Sequence, residues 1–381
     1  MQRSLYEADH VDFGASVQDF IDRTIIPRHE QIIENRLIDR EIWLEAGKHG
    51  FLGLDVPEAF GGGEADDFRF NAILTEKLSY VSAALPSAFG IHSDIVAPYL
   101  VTLTTDEQKQ RWLPKFCTGE IVTAIAMTEP SGGSDLANIK TVAKRTNGGW
   151  IINGSKTFIT NGSSADLILC AVKTSPDKRA KGITLVAVEA SMPGFKRGRK
   201  LDKVGQPEAD TAELFFDDLF VPDSHVIGEV DKGFFHMMEM LPQERLNAAI
   251  SNLAHARGIF AETLDYCRSR KAFGSAIGSF QYNKFTLAEI DTELKVTQSF
   301  VDQSILAHTA GELTAVDAAR AKWWTADVQN RTLDTCVQMF GGYGFMNEYR
   351  VARAWKDARV TRIWAGSNEI MKELIGRELG M

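Results

Sequence analysis

From Leu246 onward the large apolar residues fall at Ile250, Leu253, Phe260, Leu264 and Cys267, in steps of four, three, seven, four and three. That spacing predicts a long helix with one buried stripe. Leu241-Pro-Gln-Glu-Arg-Leu246 opens the segment, and Pro242 suits a first helical turn, where a missing N–H costs nothing. Glu244 is therefore expected near a helix N-terminus, at the edge of whatever the stripe packs against. Taken alone, it reads as a solvated first-turn acid facing the helix dipole.

Upstream, residues 11 to about 121 also read as helical. Val17, Phe20, Ile21 and Ile25 keep helical spacing before Pro27. Asp39 is placed to cap a helix that carries Ile42, Trp43 and Ala46 and stops at Gly50. Thr105 and Gln108 have the spacing of a capping box. Asp55 to Gly63 is a breaker-rich loop whose glycines predict tight turns. Near residue 121 the pattern changes. Ile121–Met127, Trp150–Ser155, Leu167–Val172, Ile183–Val188 and Ala212–Phe216 are short apolar, β-branched runs separated by Gly, Asn or Pro. Strands without helices between them predict an antiparallel β domain. From Lys232 the strand signals vanish and helical periodicity returns. The expected division is therefore an N-terminal helical domain (1–121), a middle antiparallel β domain (122–232) and a C-terminal helical domain (233–381), an α+β multidomain chain. Helices, then sheet, then helices exclude a doubly wound nucleotide fold, which alternates the two.

Composition narrows the functional classes. Lys plus Arg number 42 against 51 Asp plus Glu, a net charge of −9, so no general attraction to nucleic acid or anionic lipid is expected. Hydrophobic residues at 44% and charged residues at 24% are ordinary for a soluble protein. Cys117, Cys170, Cys267 and Cys336 are scattered, without metal or disulfide spacing, and the eight histidines show no HxH or HExxH pattern. No metal site is expected, and a reducing, cytoplasmic setting is. No apolar run approaches membrane-spanning length, and Met1 to His10 lacks the apolar core of a signal peptide. Gly149 and Gly154 have P-loop spacing, but Ser155-Lys156 follows in the wrong order inside a strand pattern. There is no GxGxxG.

Three stretches could carry chemistry. Thr128-Glu-Pro-Ser-Gly-Gly-Ser-Asp135 ends the first strand with paired glycines, which let backbone N–H groups approach a ligand, and with Thr128 and Ser134 as hydroxyl donors. The alternative is a plain strand-to-turn connection. Gln338-Met-Phe-Gly-Gly-Tyr-Gly-Phe345 is a helix break or a place where ligand touches backbone. Arg268, Arg270 and Lys271 put cations at a helix C-terminus, where they serve the dipole or face a diphosphate.

Together these stretches resemble the acyl-CoA dehydrogenase family. Ala126–Asp135 is similar to its first signature and Gln338–Asp357 to its second. Val56-Pro-Glu-Ala-Phe-Gly-Gly, Asn153-Gly-Ser-Lys, Arg270-Lys-Ala-Phe-Gly and Gly366-Ser-Asn-Glu-Ile extend the likeness over nearly the whole chain. Asn138 departs from the small residue usual in the first signature. The resemblance implies a C-terminal four-helix bundle, a homotetramer and one FAD per subunit. It also implies α,β-dehydrogenation of an acyl-CoA, a reaction of fatty acid β-oxidation, with electrons passed to an electron-transferring flavoprotein. By the same likeness Met127, Thr128, Gly133, Ser134, Phe158, Ile159 and Thr160 line the flavin, Phe158 standing where many members have Trp. Arg270, Phe273, Gln281, Gln338, Gly341 and Gly342 reach a neighbouring subunit's FAD, and Ser367 and Glu369 its adenosine end. Ser134, Pro242, Gln243 and Arg245 are the expected substrate contacts.

The family's usual catalytic Glu is replaced by Ala365, in Ile363-Trp-Ala-Gly-Ser367. A methyl group cannot abstract a proton. Long-chain and isovaleryl members place the base in a Glu-Arg-Leu context instead, which Glu244-Arg245-Leu246 matches, and the surrounding residues look most like the long-chain type. The resemblance thus makes Glu244 the base that takes the α proton while the β hydride goes to flavin N5. The runner-up expectations are a short branched-chain (isovaleryl-type) enzyme and a non-catalytic FAD-binding homologue.

Overall fold

A computed structural model describes residues 3–381, so Met1 and Gln2 of the Met1–His10 stretch lie outside the described residues. The predicted N-terminal periodicities become helices α1 (Ala8–Phe20), α2 (His29–Asn35), α3 (Arg40–Lys48), α4 (Arg69–Ser79), α5 (Ala84–Gly90), α6 (Ala97–Leu103) and α7 (Asp106–Cys117). Val17, Phe20, Ile21 and Ile25 are all buried, although the last two lie in a π-helical turn, Ile21–Ile25, that continues α1. Thr105 and Gln108 form the reciprocal capping box of α7. Asp39 occupies the N-cap position of α3 but makes no side-chain bond to it; the cap is served by its backbone carbonyl, which accepts from Ile42 N.

The middle of the chain forms β1 (Thr123–Ala126), β2 (Val142–Thr146), β3 (Gly149–Thr160), β4 (Leu167–Lys173), β5 (Ile183–Glu189), β6 (Phe195–Lys200), β7 (Thr211–Pro222) and β8 (Val226–Ile227) in one sheet, ordered β6-β7-β3-β2-β4-β5-β8 with β1 on β4. The sheet is mixed and not purely antiparallel: β1 runs parallel to β4, Thr123 opposite Leu167 through Ala126 opposite Cys170, and β2 meets β4 in parallel at Val142 and Lys173. A parallel pair needs a crossover. Here the antiparallel β2–β3 hairpin supplies it in place of a helix, which is why the absence of helices misled. Gly149 and Gly154, the false P-loop pair, both lie in β3, where Gly154 passes so close to Thr141 that a Cβ would fall 2.6 Å from its Oγ1.

From Gly233 the chain is helical: α8 (Gly233–Ser269), a small hairpin of β9 (Lys271–Ala272) and β10 (Ser275–Ala276), then α9 (Gln281–Thr309), α10 (Ala315–Phe340), α11 (Arg350–Ala358) and α12 (Asn368–Glu378). Three long helices, α8, α9 and α10, dominate, with α11 and α12 packed on α10. The start expected near Pro242 is wrong: α8 begins at Gly233 and runs through the proline. Phe234 to Leu241 are rich in Met and Leu, strong helix formers, and an interior proline costing about 3 kcal/mol is tolerated where packing holds both sides. It does so here. Met237 belongs to the apolar cluster between the N-terminal helices and the sheet, and Leu246, Ile250 and Leu253 to the core of the helical domain. Among the described residues no helix is long and apolar enough to cross a membrane.

One buried ion pair fixes the loop after β1. Lys156, on β3, donates from Nζ to Glu129 Oε1 at 2.9 Å and to the Met127 carbonyl at 3.1 Å, and the two side chains are 0% and 2% exposed. Glu129 also accepts from the N–H groups of Lys140 and Thr141. Burial alone would raise the Glu129 pKa, but the Lys156 charge and these donors outweigh it and hold the carboxyl below its usual range. Replacing one partner leaves the other charged and dry. Lys156→Met is expected to lower stability by roughly 3–5 kcal/mol, read as a fall in the urea midpoint, whereas Glu129→Gln with Lys156→Met should recover part of it.

Candidate active site

Glu244 sits on the twelfth residue of α8, counting from Gly233, so it is a mid-helix side chain and not a solvated first-turn acid. It lies between the two apolar cores that flank Pro242 and is only 8% exposed. Among the described residues its side chain has one hydrogen bond, from Tyr99 on α6, whose hydroxyl donates to Oε1 at 3.3 Å; Tyr99 is itself fully buried. Burial pushes the Glu244 carboxyl up to about 7, against the smaller opposing effects of the Tyr99 bond and the Arg245 charge. The same surroundings drive the Tyr99 pKa far upward, so the phenol stays a donor. A carboxyl that titrates near neutrality inside a domain junction suits general-base work.

Tyr99 gave no signal in the sequence. It lies in Ile95–Leu103, an apolar run after which nothing but core packing is expected, and only the folded chain brings it to residue 244. Arg245 is equally buried, at 6% exposed, with an unpartnered Nε. Its charge helps lower the pKa of buried Lys322, after burial itself, and Lys322 Nζ donates to the Gly366 carbonyl at 2.6 Å. That contact ties the Ala365–Gly366 turn to α10. Ala365 holds a left-handed backbone, φ +51°, ahead of Gly366 at +85°.

The other expected substrate contacts divide. Gln243 is committed within the protein: its Nε2 donates to the Asp94 carbonyl at 2.7 Å and its Oε1 meets His308 Nε2 at 3.0 Å. Its side chain thus anchors the helix to the N-terminal domain and to α9. Pro242 is half-buried in the helix interior, and Ser134 is exposed on the loop after β1.

The expected flavin residues fall in three places. Met127, Thr128, Gly133 and Ser134 follow β1, and Thr157 N donates to the Thr128 carbonyl at 3.0 Å, which ties this loop to the β3 segment carrying Phe158 and Thr160. Phe158 stands 68% exposed at a β-bulge with φ +59°, an apolar ring displayed on the surface by a strained backbone. Ile159 points the other way, into the sheet core at 3% exposed, so its side chain is not available to a ligand as expected; strand alternation requires this once Phe158 faces out. Arg270, Gly341 and Gly342 line a second cavity of about 400 Å³ with Tyr266 and Tyr343, and nothing lies within 4 Å of a Cβ built on either glycine. Phe273, 98% exposed at φ +51°, Gln281 and Gln338 lie exposed at the same end of the helical domain. Ser367 and Glu369 line a third cavity with Arg359, Arg362 and Lys372, where Ser367 caps α12. A displayed aromatic ring, open glycine backbone and a guanidinium are the donors and surfaces a flavin diphosphate needs, so these residues fit FAD. Among the described residues no His, Cys, Asp or Glu cluster could hold a metal.

Residues 7–120, 124–219 and 231–380 match, in turn, the N-terminal, middle and C-terminal domains of acyl-CoA dehydrogenase. The chain is 42% identical over 379 residues to the mitochondrial long-chain specific acyl-CoA dehydrogenase of Rattus norvegicus, covering 99% of this chain and 88% of the relative. It is 33% identical to the mitochondrial isovaleryl-CoA dehydrogenase of Solanum tuberosum, covering 98% and 91%. The crystal structure of an acyl-CoA dehydrogenase from Geobacillus kaustophilus superposes with a TM-score of 0.98 at 44% identity over 100% of both chains. By its three matched domains and this full-length likeness, the chain belongs to the acyl-CoA dehydrogenase family of FAD-dependent oxidoreductases.

Proposed function

We propose that the chain dehydrogenates a medium- to long-chain acyl-CoA to the trans-2-enoyl-CoA, with Glu244 removing the α proton. The observation that carries this reading is the Glu244 carboxyl itself, buried, bonded by Tyr99 and shifted up to about 7, in a chain whose other expected base position is Ala365. The α C–H of a thioester is weakly acidic, so a base of raised pKa placed out of water has more driving force than a surface carboxylate. Oε1 is taken up by Tyr99, which leaves Oε2 to receive the proton. Tyr99 favours the charged form by donating to it, and the Arg245 charge adds to this. When bound, FAD supplies the acceptor for the β hydride. Met127, Thr128, Gly133, Ser134, Phe158 and Thr160 would hold its flavin; Arg270, Phe273, Gln281, Gln338, Gly341 and Gly342 would serve the FAD of a neighbouring subunit; Ser367 and Glu369 would serve the adenosine end.

Assembly as a homotetramer is supported by exposed apolar side chains at that end of the helical domain: Phe273 at 98%, Tyr282 at 78%, Phe345 at 75% and Phe285 at 56%. Electron-transferring flavoprotein as acceptor rests on the family likeness, as does a role in fatty acid β-oxidation. Domain limits of 1–121, 122–232 and 233–381 are supported by the change from α7 to β1 and from β8 to α8. Preference for a long chain is supported by the 42% identity to the rat long-chain enzyme. A short branched acyl group is the second reading, favoured by the likeness to the potato isovaleryl-CoA enzyme.

Ferrocenium-coupled turnover across butyryl-, isovaleryl- and palmitoyl-CoA tests both. An optimum on palmitoyl-CoA is expected, and an optimum on isovaleryl-CoA would establish the second reading instead. Glu244→Gln should retain FAD and lose roughly 10²- to 10⁴-fold in kcat; unchanged kcat sinks the assignment of the base.

The pH dependence separates Tyr99 from mere packing. Glu244 acts only when ionised, so kcat should rise with pH through about 7. Tyr99→Phe removes a donor that stabilises the carboxylate, so the acid limb should move to higher pH while the high-pH plateau changes little. A limb that stays in place or moves down would show that the Tyr99 bond does not act on the base.

A further inference from the structure

Glu244 is held by more than its own helix. One residue before it and three after it, Gln243 and Asn247 project toward the N-terminal domain, and both end on Asp94. Gln243 Nε2 donates to the Asp94 backbone carbonyl at 2.7 Å, and Asn247 Nδ2 donates to Asp94 Oδ2. The other carboxylate oxygen, Oδ1, accepts from Asn71 Nδ2 of α4 at 2.8 Å. Thr75, one turn on in α4, donates to Asn247 Oδ1 at 3.2 Å, so both ends of the Asn247 amide are fixed. Gly90 gives way to this contact: a Cβ there would lie 2.7 Å from Asn247 Nδ2. Asp94 stands in a π-helical turn, Ile91–Val96, that runs directly into α6, the helix carrying Tyr99. One continuous segment thus bonds the base and clamps the helical turn on which the base rides.

We propose that Asp94 is a positioning residue for Glu244, acting through Asn247 and Gln243 to fix the turn of α8 that aims the carboxylate. The inference rests on the reading of Glu244 as the base. Asp94 touches no site for substrate or cofactor described above. The groups that meet its side chain are donors, the amide N–H groups of Asn71 and Asn247 and the Thr75 hydroxyl, which is the environment of a carboxylate acceptor. Burial nevertheless pushes the Asp94 carboxyl up to about 7, and the nearby Asp55 adds to the shift. A buried acid whose side chain and backbone carbonyl together tie α4, the π turn and α8 is more than packing requires. The Asn247 amide would be satisfied equally by a neutral partner if stability alone were at stake. π-helical turns also recur at functional sites, where the extra residue re-aims a side chain.

The test uses the FAD-loaded enzyme and two readouts of the same proton. One is exchange of the substrate α hydrogen with D₂O in a 3-thiaacyl-CoA, which asks only for proton abstraction; the other is steady-state turnover. Asp94→Ala is expected to slow both by on the order of 10- to 100-fold, the loss produced by misplacing a reacting group by about 1 Å, with KM changed far less than kcat. The exchanged pair Asp94→Asn with Asn247→Asp keeps one carboxylate facing one amide and should recover most of the loss, which a simple packing defect would not do. Asp94→Asn alone, closest in shape, covers the case in which the alanine variant fails to fold, and should fall between the two. Unchanged exchange and turnover in folded Asp94→Ala and Asp94→Asn overturn the proposal, as does an exchanged pair no better than Asp94→Asn. Glu244→Gln runs alongside. If it keeps full exchange, the base is elsewhere and the positioning role falls with it; if it loses exchange while the Asp94 variants keep theirs, only the positioning role falls.

Discussion

A carboxyl group taken out of water with a single hydrogen bond is the constraint on which the site depends. Moving a carboxylate from water into a protein interior costs several kcal/mol even after relaxation, and Glu244 recovers little of it: one bond from Tyr99 and the charge of a neighbouring arginine that is itself buried and short of partners. Such a group drifts toward neutrality or toward solvent unless its surroundings leave it no other place. Those surroundings are α8, unbroken from Gly233 to Ser269, with an apolar core on each side of the residue. The helix carries its interior proline for the same reason. A chain pinned by Met237 at one end and by Leu246 onward at the other has nowhere to fray.

The second support is the segment from Ile91 to Leu103, which joins all three parts of the fold. His92 is fully buried, with Nε2 on the Phe116 carbonyl and Nδ1 on Thr123 Oγ1, so the π turn is fastened to α7 and β1. Asn161, left-handed at the end of β3, donates to the Ala88 and Thr123 carbonyls and repeats the link from the sheet side. From that fixed base Asp94 and Tyr99 reach α8. Sites at the junction of domains are common because several rigid bodies can each supply a group. Here the N-terminal helices supply the partner of the carboxyl, the helical domain supplies the carboxyl, and the sheet, through the buried Lys156–Glu129 pair, fixes the loop carrying Thr128 beside the β3 bulge that displays Phe158.

How far the sequence revealed this depended on the range of the interactions involved. Local rules worked: the stripe from Leu246 to Cys267, the capping box of Thr105 and Gln108, and the five apolar strands all appear in the fold. Rules that assume a local cause failed where tertiary packing decided. Pro242 reads as a helix start because nothing nearby shows that both flanks are pinned. Strands β2 and β6 were not anticipated because Lys144, Arg145, Lys196, Arg197 and Lys200 make them polar, and only pairing with β3 and β7 makes them strands. The parallel β1–β4 pair was unreadable because the chain between them is itself a hairpin. Ile159 was grouped with its neighbours along the chain, while the pleat sends it to the opposite face. Tyr99 and Asp94 lie more than a hundred residues from Glu244, and no spacing rule reaches that far.

Placing a base on a helix interior changes what controls its aim. Ala365, the alternative position, lies on a two-residue left-handed turn held by one lysine bond to Gly366. Left-handed backbone at a residue with a side chain stores strain and persists only where its surroundings impose it. A carboxylate there would take its direction from that turn. A carboxylate at residue 244 takes it from a helical backbone with few soft degrees of freedom, so error in aim can enter only through rotation or sliding of α8 as a body. The contacts that resist such motion are those at Gln243, Asn247 and Tyr99, each of which reaches the N-terminal domain, with Gln243 also bonding His308 of α9. Under the proposed reading, control of the chemistry has moved with the base: from a short loop near the C-terminus to the packing of two domains across α8.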